Sequence, residues 1–181
     1  MLKLKKYVIV NVVSTANLNQ FVNIKKFTEF NWGIYDNAIY GGVCGYIKSP
    51  EMEGKVTVFS NGKMISMGTK SIQKSINQFN IAKFYLLQEN LISDVVLDVK
   101  IQNIVSIMTL NLSSSLRKIQ KKFKNSIYNP DNFAGLIVKI TDKPTCLIFS
   151  SGKIIITGAK SEKEILETSL LIAQSLELTC P

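Results

Sequence analysis

The stretch CLIFSSGKIIITGAKSE, residues 146–162, decides how the chain is read, because a worn copy of it, VTVFSNGKMISMGTKSI, stands at residues 56–72. Within these stretches FSNGKMISMGTKS (59–71) and FSSGKIIITGAKS (149–161) agree at eight of thirteen positions, at an offset of 90. Further out, IVNVVSTANL (9–18) parallels IQNIVSIMTL (101–110) at an offset of 92, with Asn11 on Asn103 and Val13 on Val105. Between these blocks, IYDNAIYGGVCGYIKSP (34–50) parallels IYNPDNFAGLIVKITDKP (127–144). Three blocks in the same order mean a duplication, with a period too long for a solenoid repeat. The halves are placed at residues 1–91 and 92–181, and a molecule with pseudo-twofold symmetry is expected.

Each half gives the same succession of elements. A Val/Ile-rich strand comes first, at 7–16 and 99–110. A short helix follows, carrying Ile24 and Phe27 in one half and Leu116, Ile119 and Phe123 in the other. Three strands come next, at 40–48, 55–60 and 63–68, matched by 133–140, 145–150 and 153–158. Asn61-Gly62 and Ser151-Gly152 mark hairpins. A long helix closes each half. Ser71 caps the first, with Ile72, Ile76, Phe79 and Leu86 at helical spacing. Ser161 and Glu164 form a capping box on the second, with Ile165, Ile172 and Leu176 on one face. Residues 88–98 join the halves without a Gly/Ser linker, so the fold class is α+β: one continuous antiparallel sheet with helices on one side.

Composition narrows the function. The 181 residues are 46% hydrophobic, enough for a real core. Lys and Arg number 22 against 13 Asp and Glu, a net charge of +9 that favours polyanionic partners. No apolar run is long enough to span a bilayer, and the start, MLKLKKYVIVNVV, reads as a strand without a cleavage site. An intracellular protein without a membrane partner is expected. Cys44, Cys146 and Cys180 are widely spaced and form no CxxC, which reads as reduced thiols, the first two as small strand residues. Histidine is absent, and with it the commonest general base and metal ligand. Carboxylates are scattered, Asp94 and Asp98 falling in the connector, and FSSGK lacks the upstream glycine of a P-loop. No catalytic residue, metal, cofactor or small-molecule substrate is expected.

Alternation supplies the decisive constraint. Leu147, Phe149, Ile155 and Thr157 face one way, and Cys146, Ile148, Ile154 and Ile156 the other. Both sets are largely apolar, yet two long and two short helices cover only one face of such a sheet. The uncovered face would be a large exposed apolar patch, which marks a binding surface; the alternative is that a homodimer or a second sheet covers it. Asn103 and Val105 share it, as do Asn11 and Val13 in the first half, and Lys63, Lys70, Lys139, Lys153 and Lys160 flank it. An apolar floor with central amides and basic rims suits a DNA minor groove. Asn donates to the adenine N3 and thymine O2 acceptors there, Lys reaches phosphate, and aromatic rings wedge between base steps.

These residues resemble the TATA-box-binding family of general transcription factors across nearly the whole chain. The motifs are QNIV (102–105), YNPDNFAGLI (128–137) and LIFSSGKIIITGAKS (147–161), with weaker copies in the first half. The resemblance implies a saddle whose concave sheet face meets promoter DNA and whose helices lie on the convex side. It implies DNA contacts at Gln102, Asn103 and Val105, a wedge pair of Phe133 and Phe149 with Leu147 beside it, groove-lining Ile155 and Thr157, and phosphate contacts at Lys139, Lys153 and Lys160. In the first half the matching positions are Asn11, Val13, Phe59, Lys63, Ile65 and Lys70. Departures gather there: Tyr40 for a wedge Phe, Thr57 for Leu147, Met67 for Thr157, Tyr46 for Lys139 and Val10 for Gln102. The loop Asn129 to Asn132, with Asp131 its only acidic residue, lies where family members contact transcription factor B. RNA polymerase is the further partner implied. The short N-terminal lead looks archaeal, which implies the cytoplasm or nucleoid (the nucleus in a eukaryote). Two rival readings stand beside this one. The first is a diverged paralogue acting mainly as a protein-interaction module in transcription regulation. The second is an enzyme, since saddle-like domains occur in some DNA glycosylases and a ribonuclease H family, but 181 residues leave no room for their separate catalytic domain.

Overall fold

Both Phe-Ser-x-Gly-Lys stretches fold as hairpin turns. Gly62 N–H donates to Phe59 O and Gly152 N–H to Phe149 O, each at 2.9 Å. The computed structural model describes residues 7–38 and 40–177. The hairpins join β4 (Lys55–Phe59) to β5 (Lys63–Thr69) and β9 (Thr145–Ile148) to β10 (Lys153–Ala159). The opening strands are β1 (Val8–Asn17) and β6 (Lys100–Thr109). Two long helices, α1 (Ile72–Gln88) and α3 (Glu162–Glu177), close the halves.

The chain divides into two compact units, Asn11–Gln102 and Asn103 onward together with Val8–Val10. In the first, the strands lie in the order β2 (Gly33–Ile34), β3 (Cys44–Ile47), β4, β5, β1. In the second the order is β6, β10, β9, β8 (Leu136–Lys139), β7 (Ser126–Ile127). Hydrogen-bonded neighbours within each unit run antiparallel. The edge strands β2 and β7 have two residues each, too short for alternation to mark them in the sequence.

Caps form as the sequence predicts. Ser71 Oγ accepts Lys74 N–H at 3.2 Å. Ser161 Oγ accepts Glu164 N–H at 3.2 Å, while the Glu164 carboxylate reaches back to the Ser161 hydroxyl and to Lys160 N–H. The first short helix is a 3-10 helix, Ile24–Glu29, closed by Phe30 N–H on Phe27 O and burying Ile24 and Phe27. The second, α2 (Leu116–Gln120), buries Leu116 and Ile119 and ends before Phe123. The strands expected from residues 40 and 133 start later. Residues 40–42 form a 3-10 turn with positive φ at Tyr40, Gly41 and Gly42, so β3 begins at Cys44. Phe133 N–H is held by Asn129 O at 2.9 Å, so β8 begins at Leu136. Cys44 and Cys146 are free and buried strand residues, and burial pushes the Cys146 thiol up to about 12. Cys180 lies outside the described residues.

The cores of the two units differ in kind. Ile165, Ile172 and Leu176 are buried on α3 as expected, together with Ile154 and Ile156 on β10. On α1 the buried stripe is Ser75, Gln78, Phe79, Ala82 and Leu86, with Ile72 and Ile76 only half-buried. A polar chain occupies the remaining space: Ser14 Oγ lies 2.5 Å from Ser75 Oγ, and Ser75 Oγ 3.1 Å from Ser66 Oγ. Gln78 Nε2 donates to Ser66 Oγ at 2.7 Å, and Gln78 Oε1 accepts Gly54 N–H at 2.6 Å. In the second unit the same positions are Ser106, Ile156, Ile165 and Thr168, and the buried hydroxyls of Ser106 and Thr168 have no hydrogen-bond partner. Removing one member of a satisfied buried network strands the others, whereas removing an orphaned hydroxyl strands nothing. Ser75→Ala is therefore expected to destabilise the protein by about 1–3 kcal/mol. Thr168→Val, which keeps the side-chain shape, is expected to be neutral or stabilising. Urea unfolding midpoints of the two variants check this, and equal losses would show that the network carries no stability.

Candidate nucleic-acid interface

Burial along each strand separates two faces. On β9 and β10, Cys146, Ile148, Ile154 and Ile156 are fully buried, while Leu147, Ile155 and Thr157 are half-exposed. On β6, Ile104, Ser106 and Met108 are buried, and Asn103, Val105 and Ile107 lie half-exposed on the alternate face. The first unit repeats this, with Asn11, Val13, Thr15, Ile65 and Met67 half-exposed, and α1 packs on the other face of β4 and β5. Each unit thus keeps one apolar sheet face uncovered, as the helix count predicts.

The asparagines are built into this face by a bulge. The β1–β5 register slips between Val12 and Ser14, and the β10–β6 register between Ile156 and Ala159. The extra residue is accommodated at Gly68 and Gly158, with φ of 89° and 95°, where a side chain is strained. Each bulge leaves a glycine N–H without a ladder partner. Asn11 Oδ1 accepts from Gly68 N–H at 2.9 Å, and Asn103 Oδ1 from Gly158 N–H at 2.7 Å. Because a backbone N–H needs an acceptor, these bonds fix which way each amide points. Neither Nδ2 group has a hydrogen-bond partner among the described residues, which leaves both as donors on the uncovered face.

The second unit brings its called aromatic pair together. The rings of Phe133 and Phe149 meet edge-to-face, with centroids 5.8 Å apart and planes at 67°. Gly135 makes room for them, since a Cβ there would sit 2.7 Å from Phe133 Cε1 and 3.0 Å from Phe149 Cε1. Phe133 stays 39% exposed. Asn129 caps its own turn through Asp131 N–H at 3.3 Å, and Asn129, Asp131 and Asn132 are all exposed. The first unit does not repeat the pair: Tyr40 stands 74% exposed in the turn before β3, and no ring contact joins it to Phe59 among the described residues.

All five called lysines are exposed, and Lys63, Lys139, Lys153 and Lys160 make no ion pair among the described residues. Lys70 lies near Glu53, which accepts its N–H at 3.2 Å. The Lys74 hydrogen bond first, then Lys70, hold that carboxyl below its ordinary range. Gln102 and Val10 are exposed, and Gln102 Nε2 is committed to Thr15 Oγ1 at 2.7 Å. Beside Phe59, Lys63 and Ile65, a cavity of about 770 Å³ is walled by the connector residues Val96 and Asp98 and by Lys100 at the start of β6.

Strand register corrects one correspondence read from the sequence. Tyr46 pairs with Thr57, and Ile137 pairs with Leu147. Thr57 and Leu147 are equivalent, so Tyr46 matches Ile137, and Lys48 rather than Tyr46 matches Lys139. The block alignment slipped because the loop before β3 and the loop before β8 differ in length. Lys48 is not free: its Nζ donates to Met52 O at 2.8 Å, Glu53 O at 3.0 Å and Gly54 O at 2.5 Å. Sequence reasoning also missed Lys55, whose Nζ lies 3.8 Å from the centroid of the Tyr46 ring. Its position two residues before Thr57 on the same strand face was the available signal. No cluster of metal-ligating side chains occurs among the described residues. No described helix is long and apolar enough to cross a membrane.

Known proteins share this arrangement. The chain is 40% identical over 161 residues to the TATA-box-binding protein of Cenarchaeum symbiosum, covering 89% of this chain and 88% of that one. It is 34% identical to the TATA-box-binding protein of Aeropyrum pernix, covering 92% and 82% respectively. A solved structure, that of the Methanococcus jannaschii TBP, matches with a TM-score of 0.84 over 96% of this chain and 99% of the other, at 23% identity. That likeness shows the fold: the α+β architecture of antiparallel strands and helices expected above. The family model for transcription factor TFIID, or TATA-binding protein, matches twice, at residues 6–86 and 98–178. The repeated hairpins, the bulge-held asparagines and these matches lead to one conclusion: the chain belongs to the TATA-binding protein family of non-enzymatic transcription factors.

Proposed function

We propose that the protein initiates transcription by binding the minor groove of AT-rich promoter DNA with the uncovered sheet faces of its two repeats, 1–91 and 92–181, kinking the duplex and recruiting transcription factor B and RNA polymerase. The observation that carries this reading is the pair of asparagine amides, whose oxygens are consumed by Gly68 and Gly158 and whose Nδ2 donors stand free on an apolar face. The floor of an A·T minor groove offers only acceptors, so a donor that cannot flip to present its oxygen suits it. The exocyclic amine of guanine would instead bring a donor against a donor. Leu147, Ile155, Val105 and Thr157 then cover sugar and base edges, the exposed lysines neutralise phosphates, and Phe133 and Phe149 open a base step. The exposed loop from Asn129 to Asn132 is the surface offered to transcription factor B. The protein acts inside the cell, at the chromosome.

Asn103→Ala tests the groove reading. It removes one donor and leaves a base acceptor unpaired in a dry interface, where a lost hydrogen bond is worth about 0.5–1.5 kcal/mol and a stranded partner more. Affinity for an AT-rich duplex, measured by mobility shift, is expected to fall several-fold with the fold intact by circular dichroism. A folded variant that binds as well as the parent would show that this face does not meet DNA.

A further inference from the structure

The first unit has rebuilt, with different residues, what the second unit achieves through Phe133 and Lys139. Its register equivalent of Lys139 is Lys48, and that ammonium is turned away into three loop carbonyls. Its sequence equivalent of Phe133 is Tyr40, which stands 74% exposed in a positive-φ turn and makes no ring contact with Phe59 among the described residues. The residues that do occupy the open face there are Tyr46 and Lys55. Tyr46 projects to that face because its strand neighbours Gly45 and Ile47 point inward, Gly45 against Phe27 and Ile47 into the core. It pairs across the strands with Thr57, which is only 4% exposed and smaller than the Leu147 of the other unit. The space a leucine would fill is thus available to a ring. Cys44, two residues before Tyr46 on the same face, pairs with Phe59. The Tyr46 hydroxyl lies close to the Cys44 thiol; burial first, then the neighbouring Cys44 and Tyr40, holds the phenol above its ordinary range. Lys55 lies over the ring at 3.8 Å and makes no ion pair among the described residues.

We propose that Tyr46 and Lys55 form the DNA-contacting pair of the first repeat, Tyr46 rather than Tyr40 supplying the aromatic surface beside Phe59 and Lys55 supplying the phosphate contact that Lys48 has given up. This rests on the DNA reading above. The ring holds the Lys55 stem in one direction, so that an ammonium already placed on an aromatic face meets the phosphate with fewer rotamers left to freeze. In the second repeat the same two positions are Ile137 and Thr145, and the cation comes from Lys139. Each repeat therefore keeps one cation at this part of its face, carried on a different strand.

Four variants of the full chain test the pair on an AT-rich duplex by mobility shift across a salt series. Lys55→Met keeps the stem and is expected to bind several-fold more weakly, with a log–log salt slope smaller by about one contact, or about 0.9. Tyr46→Ala is expected to lose about tenfold or more, in the range of an aromatic surface withdrawn from bases. Tyr46→Phe keeps the ring, guards against a folding effect, and is expected to bind within about twofold of the parent. Tyr40→Ala is expected to stay within the same twofold. An unchanged salt slope in Lys55→Met, or a larger loss from Tyr40→Ala than from Tyr46→Ala, would overturn the pair while leaving the DNA reading standing. A parent chain that fails to shift the duplex would overturn both.

Discussion

Raising the salt concentration from about 50 to about 200 mM is expected to weaken promoter binding several hundred-fold, because each neutralised phosphate contributes about −0.9 to the log–log slope. Lys63, Lys70, Lys139, Lys153 and Lys160 are all exposed, and none of the five makes an ion pair among the described residues. Five such contacts give a slope of about −4 to −5, and the proposed Lys55 contact would steepen it by about 0.9. Three other lysines are already paired with carboxylates: Lys74 with Glu53, Lys83 with Asp94 and Lys143 with Glu167. The net charge of +9 already counts these pairs as neutral, and the slope measures how many of the remaining cations meet phosphate. Titration of a fluorescent AT-rich duplex at several salt concentrations gives the value directly. A slope near zero would favour the protein-interaction reading.

Replacing Phe149 with alanine is expected to weaken binding by about 1–3 kcal/mol, the measured range for an aromatic side chain stacked on a base. Replacing Phe59 is expected to cost less. Phe149 is held edge-to-face against Phe133, so losing it also frees its partner, and Leu147 stands two residues before it on the same strand face. Phe59 has no such ring neighbour among the described residues, and the smaller Thr57 stands two residues before it where Leu147 stands in the other repeat. The two ends of the bound duplex should therefore bend unequally, with the larger kink under the second repeat. Mobility shift of both variants, with fluorescence transfer between the DNA ends, makes the comparison. Equal losses, or a larger loss at Phe59, would show that the first repeat compensates fully.

Much of this was legible in the sequence because the duplication supplied its own control. A residue read once is ambiguous; the same residue recurring at an offset of 90 or 92 on a strand of matching parity fixes a face. Asn11 and Asn103 were found in that way, but what orients them was not. Their partner is a glycine N–H freed by a bulge, and an antiparallel register slip leaves no residue pattern of its own beyond the glycine. The loop before β3 was misread for a related reason. With unequal loop lengths, aligning by residue identity set Tyr46 on Lys139, whereas the hydrogen-bonded ladder sets Lys48 there. The fate of Lys48 was equally hidden, because a lysine folded onto backbone carbonyls looks in sequence like one facing solvent. The polar chain through Ser14, Ser75, Ser66 and Gln78 escaped because it joins three distant elements that only packing brings together.

The central claim, that these faces read an AT-rich minor groove, is tested most directly by a mobility shift of the full chain on an AT-rich promoter box against a scrambled duplex of the same composition and length. The expected result is a shift of the promoter box at protein concentrations where the scrambled duplex stays free, and specific sites are ordinarily bound at least about a thousandfold more tightly than non-specific DNA. Equal binding of the two duplexes, or binding of neither, would contradict it.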